Sequence, residues 1–99
     1  MIDSRLKIRK DNGTYRIVDY EGDDIVLSKT ILHPHQSTTG HKHSHTEIYY
    51  FIGSGIMQIG DDIETMNGGE FKFVSSSIFH RVSNNGNEDL EFLCTWRKV

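Results

Sequence analysis

The chain has 99 residues, 35 % of them hydrophobic and 25 % charged, with a formal net charge of -3. That length predicts one compact domain over residues 1–99 with no room for a second core, and the composition excludes a disordered chain. The longest basic run, "RLKIRK" at residues 5–10, is too short to suggest nucleic acid or an anionic membrane surface as a partner.

From the amino end, "MIDSRLKIRK" contains no leader-like apolar run, and nothing further along approaches the roughly 18 apolar residues of a membrane span. A single cysteine, Cys94, cannot form an internal disulfide, so a cytoplasmic setting is expected. The elements that follow have a period of two. Strands are predicted over "YRIVDY" (15–20), "DIVLSKTIL" (24–32), "EIYYFI" (47–52), "GIMQIG" (55–60), "FKFVS" (71–75), "IFHRVS" (78–83) and "LEFLCTW" (90–96). Turn chemistry separates them, as in "DNGT", "EGDD", "GSG" and "NNGNED". Many short strands between such turns predict an all-β sandwich or barrel. In the last strand Leu90, Phe92, Cys94 and Trp96 share one face, which is read as core. Apolar residues left outside, including Ile48, Ile52 and Leu93, predict a homodimer that covers them.

The stretch "GHKHSHTEIYY" (40–50) places His41, His43, His45 and Glu47 at alternate positions. In an extended chain these side chains would project to one face, and imidazole with carboxylate is a good donor set for a divalent first-row metal. A solvated histidine-rich loop is the other reading of the same run. His80 stands in the middle of an apolar strand, where either a hydrogen-bonded core histidine or a ligand fits.

Together the two segments resemble the cupin family. Its first motif runs glycine, five residues, His-x-His, three or four residues, Glu, six residues, glycine; here His41-x-His43 is followed by Ser44, His45, Thr46 and Glu47. Its second runs glycine, five residues, Pro-x-Gly, two residues, His, three residues, Asn; Gly69, Ser75-x-Ser77, His80 and Asn84 reproduce that spacing. The chain departs at His35, where the family has glycine, at Gly53, one residue early, and at Ser75 and Ser77, which replace Pro and Gly. If Ser77 adopts positive φ, strain of about 1 kcal/mol is expected.

The resemblance implies a small double-stranded β-helix, or jelly-roll barrel, with one divalent transition metal (Fe, Mn, Ni, Co or Zn) held by His41, His43, Glu47 and His80. It leaves His45 as an extra at the cavity mouth. Tyr49, two residues after Glu47, is a candidate proton-transfer group or else a packed core aromatic. Gln58 is a candidate substrate contact, and Phe51, Phe71 and Phe73 candidate apolar wall. Among cupins the chain is most similar to the small mannose-6-phosphate isomerase-like members. That implies a metal-dependent enzyme carrying out isomerisation or related proton transfer on a sugar or sugar acid. A non-enzymatic metal- or small-molecule-binding cupin is one alternative, and an iron-dependent dioxygenase or lyase the other. A phosphorylated substrate would call for an inward Arg or Lys, for which Lys29 and Lys72 are the candidates considered.

Overall fold

The computed structural model describes residues 5–98. Residues 1–4 and 99, which belong to the expected single domain and in part to the stretch read for a leader, lie outside the described residues. Nine strands follow one another: β1 (Leu6–Asp11), β2 (Tyr15–Glu21), β3 (Ile25–Leu32), β4 (Glu47–Phe51), β5 (Gly55–Ile59), β6 (Asp62–Met66), β7 (Phe71–Val74), β8 (His80–Ser83) and β9 (Leu90–Arg97). Seven are the predicted ones with ends moved by one or two residues. β1 and β6 were not expected. Both are exposed along nearly their whole length, so no apolar alternation marks them. Each is instead an edge strand held by its neighbour, β1 by β2 and β6 by β5. No helix among the described residues is long and apolar enough to cross a membrane.

The strands form two antiparallel sheets, ordered β1-β2-β3-β9-β4-β7 and β6-β5-β8. One apolar core joins them: Leu32, Phe51 and Phe92 of the larger sheet pack in the same cluster as Met57, Met66 and Val82 of the smaller. Alternation holds well on β9, where Leu90, Phe92 and Cys94 are buried. Inward positions turn polar at Ser28, Thr30, Glu47 and His80, all of them buried, and this polar zone is where a ligand can be accommodated.

Phe71 and Phe73 correct the expected apolar wall, because they are 68 % and 64 % exposed. Their register explains it. Phe73 pairs with Ile48 and Phe71 with Tyr50, residues on the outward side of β4, and cross-strand partners share a face. Phe51 is fully buried as core.

The irregular segment between β3 and β4 lies alongside β8 and ties the two motif regions together. Asn84 N–H donates to Gln36 O (2.9 Å), Thr38 N–H to Val82 O (2.9 Å), and Ser77 N–H to His43 O (2.6 Å). His41 and His80 exchange both backbone hydrogen bonds, 3.2 and 3.1 Å. Asn84 itself is a buried staple. Its Nδ2 donates to Leu32 O (2.9 Å) and Glu88 O (2.7 Å), while its Oδ1 accepts from Gly86 N–H (3.0 Å). Asn84→Ala strips partners from groups that solvent reaches poorly, and a loss of about 2–3 kcal/mol is expected in urea unfolding.

Both motif positions where glycine is replaced keep the glycine-like backbone: φ is 63° at His35 and 65° at Ser77. A side chain in this left-handed region costs on the order of 1 kcal/mol. Ser77→Gly is therefore expected to raise stability by about 0.5–1 kcal/mol, read as a higher urea midpoint with unchanged slope.

Candidate metal centre

Gly40 opens the site. Its φ is 83°, and a Cβ there would meet the Phe79 ring at 2.6 Å, so glycine alone lets the chain turn here against Phe79 and enter His41. From that turn, His41, His43 and His45 reach a cavity of about 370 Å³, together with Glu47 at the start of β4 and His80 at the start of β8. The ligand atoms of His41, His43 and His80 lie within 4.8 Å of one another, as do those of His43, His45 and Glu47. His80 Nε2 is 2.9 Å from Glu47 Oε1, His43 Nε2 is 3.6 Å from the same oxygen, and His45 Nε2 is 3.5 Å from Oε2. The four residues expected as ligands thus converge, and His45 joins them. The ring of His45 stacks between His43 (4.8 Å) and Trp96 (5.5 Å), with 28 % of its side chain still exposed.

The donor chemistry fits a cation. Nε2 atoms of His45 and His80 are buried with no aligned hydrogen bond, despite the carboxylate close by. An orphaned buried nitrogen is costly unless something else satisfies it. For His80 the tautomer is set by its other nitrogen, since Nδ1 lies 3.0 Å from Ile78 O and a carbonyl can only accept. Nε2 is therefore the nitrogen turned to Glu47 and the cluster, the arrangement in which a backbone carbonyl orients a metal-binding imidazole.

The electrostatics agree. Burial holds His41 below the usual histidine range, assisted by the neighbouring His43 and His80. Burial likewise lowers His43, outweighing the pull of Glu47. For His80 burial also works against the charged form, but Glu47 and the Ile78 carbonyl overcome it and raise the pKa. Burial pushes Glu47 upward, yet the approach of His80 and the charges of His43 and His80 bring it down to about 2. An ionised carboxylate among crowded imidazoles is a ready divalent-cation site, since metal displaces protons from such groups.

Two further groups bracket Glu47. Tyr49 donates its hydroxyl to Oε1 (3.4 Å) and Cys94 its thiol to Oε2 (3.4 Å). Burial raises the pKa of both, in Tyr49 with help from Cys94 and Glu47, in Cys94 with help from Glu47, so both keep their protons. Tyr49 also meets His80 edge-on, ring centroids 5.6 Å apart. Cys94 was expected only as core. The register of β4 against β9, which pairs Tyr49 with Cys94, is what brings it to the carboxylate.

Gln58 is placed elsewhere. Met57 takes the inward position on β5, and Gln58 accepts from Arg81 Nη2 (2.9 Å) while donating to Gly60 O (3.1 Å). Gln58→Ala is accordingly expected to leave metal content unchanged. The cations considered for a phosphate do not enter the cavity either: Lys29 pairs with Glu91 and Lys72 with Glu64. A residue missed in the sequence does. Arg9 of β1 lines the cavity, with its Nε 2.8 Å from Asp19 Oδ2 and its Nη2 3.3 Å from Ser28 Oγ.

Two antiparallel sheets enclosing a histidine and carboxylate cluster define a β-barrel protein with a candidate metal centre. Residues 28–96 match the cupin domain family, and the chain belongs to it. Among solved structures, an RmlC-like cupin from Shewanella frigidimarina NCIMB 400 is similar with a TM-score of 0.82 at 14 % identity, covering 100 % of this chain and 89 % of that one. A predicted oxalate decarboxylase from Thermotoga maritima gives 0.81 at 23 % identity, covering 97 % and 96 %. KdgF from Halomonas sp. gives 0.79 at 12 % identity, covering 99 % and 92 %. At these identities the likeness is one of fold. No curated protein sequence matches the chain.

Proposed function

We propose that this cupin binds one divalent transition metal through His41, His43, Glu47 and His80, and uses the site for isomerisation or related proton transfer on a small polar metabolite such as a sugar or sugar acid. The observation that carries the metal is the gathering of the His41, His43 and His80 nitrogens within 4.8 Å of one another, with the buried Nε2 atoms of His45 and His80 both turned to the Glu47 carboxylate. When bound, such an ion supplies Lewis acidity toward substrate oxygens, and iron, manganese, nickel, cobalt or zinc all suit this donor set. The chain's own residues supply the rest. Tyr49 and Cys94 steady the two carboxylate oxygens, while Phe92, Val82 and Ile17 give the cavity its apolar wall. Tyr49, which lines the cavity with its hydroxyl against Glu47, is the residue assigned to proton transfer in this reading.

Elemental analysis of protein purified without added metal and without a histidine tag tests the first half of the proposal. Incubating the loaded protein with candidate sugars and sugar acids in deuterium oxide, and following exchange of carbon-bound hydrogen by NMR, tests the second. Tyr49→Phe is expected to keep the metal and lose the exchange. One observation favours a second reading, a non-enzymatic metal- or small-molecule-binding cupin: the protons of Tyr49 and Cys94 are both directed at Glu47. Stoichiometric metal without exchange on any substrate would select it.

The same proposal includes a homodimer. Leu6, Val18, Tyr20, Leu27, Ile31 and Leu93 line an apolar depression of about 490 Å³ on the outside of the larger sheet, and Ile48, Phe71 and Phe73 lie further across that face. Sedimentation of the wild type against Leu93→Arg measures it, with dissociation of the variant as the expected result.

A further inference from the structure

We infer that the cavity takes a carboxylate-bearing ligand, with Arg9 as the group that recognises the carboxylate and Lys10 beside it; the substrate-class part of this rests on the proposed metal site. β1 is irregular between Ile8 and Lys10. Its register against β2 runs Lys7 to Asp19 and Ile8 to Val18, then skips to Lys10 opposite Ile17, so Arg9 is an extra residue with no cross-strand partner. A bulge of this kind breaks the alternation of faces and re-aims side chains. Here its result is that two consecutive residues, Arg9 and Lys10, both line the cavity, which an unbroken strand could not achieve.

The guanidinium is also held in position. Asp19, itself buried, grips one edge through Nε (2.8 Å) and Nη2 (3.4 Å), and Ser28 accepts from Nη2 (3.3 Å). Among the described residues Nη1 has no partner, and Lys10 has no ion pair. With both Nη2 hydrogens taken by Asp19 and Ser28, the clamp leaves Nη1 to donate to an anion, and a charge-assisted bond from Nη1 suits a carboxylate.

Charge balance points the same way. Although the chain carries -3 overall, the described residues lining the cavity include two fixed cations, Arg9 and Lys10, and one carboxylate, Glu47. A divalent ion bound there would make the cavity still more positive, and a ligand bringing its own negative charge would offset it. Asp19 already neutralises part of Arg9, which favours a monoanion over a phosphate dianion.

The experiment is calorimetric titration with three probes on one carbon skeleton: gluconate, its neutral alcohol sorbitol, and sorbitol 6-phosphate. Wild type, Arg9→Ala and Arg9→Lys are compared, each with metal content measured and each repeated after chelation. Wild type is expected to bind gluconate about tenfold or more tightly than sorbitol, the usual worth of a charge-assisted hydrogen bond. Arg9→Ala should erase that ratio without changing metal content, and Arg9→Lys should restore part of it. Equal affinity for gluconate and sorbitol, an unchanged ratio in Arg9→Ala, tighter binding of the phosphate, or no binding of gluconate would each overturn the inference. Wild type that takes up no metal yet keeps the Arg9-dependent ratio would refute the metal site and uphold Arg9. Full metal content without Arg9 dependence would do the reverse.

Discussion

Replacing His80 by Ala is expected to abolish stoichiometric metal uptake. The residue is 2 % exposed, its Nδ1 is committed to Ile78 O, and its Nε2 lies 2.9 Å from Glu47 Oε1, so its ring is fixed toward the cluster. An ion that binds only the folded form stabilises it by about 4 kcal/mol when free metal is 1,000 times the dissociation constant. For a domain of this length that corresponds to a rise in melting temperature of roughly 15–30 °C. Wild type should lose that increment on chelation, whereas His80→Ala should show none to lose. His43→Ala is the companion variant, because its half-buried ring can be removed with less damage to the core. A His80→Ala protein that melts cooperatively and still carries one ion per chain would refute the ligand assignment.

Phe51→Ala is expected to be the most damaging core substitution tested by unfolding. The ring is fully buried and stacks on Phe92 with centroids 5.7 Å apart, in the cluster that joins both sheets. Emptying such a site costs about 3–5 kcal/mol, a large share of the roughly 5–15 kcal/mol that holds a domain together. Phe51 belongs to the same short strand as Glu47, so the two effects are linked by mass action. Chelated variant should be substantially unfolded at 37 °C, and added metal should restore its near-ultraviolet circular dichroism. A variant equally unfolded with and without metal would show that the ion does not bind the native barrel.

Much of this architecture is legible in the residues alone. Alternation on β9, the Gly and Asn turns, and the spacing from His41 to Glu47 and from Gly69 to Asn84 lead to an antiparallel barrel of the cupin kind. Even the left-handed backbone at Ser77 follows from its place in the second motif. These features are local, and a period of two or a motif spacing survives in one dimension.

Other features needed the folded chain. Alternation says which residues share a face but not which face turns inward, so Phe71 and Phe73 were expected inside and lie outside, with Ile48 and Tyr50 opposite them. Trp96 and Cys94 reach the histidine cluster only because β9 runs beside β4. His45 is stacked between His43 and Trp96, a contact that no strand count contains, and Arg9 and Lys10 enter the cavity through one extra residue in an exposed edge strand. The sequence by itself determined seven of the nine strands and the ligand-type residues, because period and spacing are properties of the chain. Tertiary structure alone decided the cavity's charge and its inner faces, because pairing between distant segments and a single bulge set where side chains point.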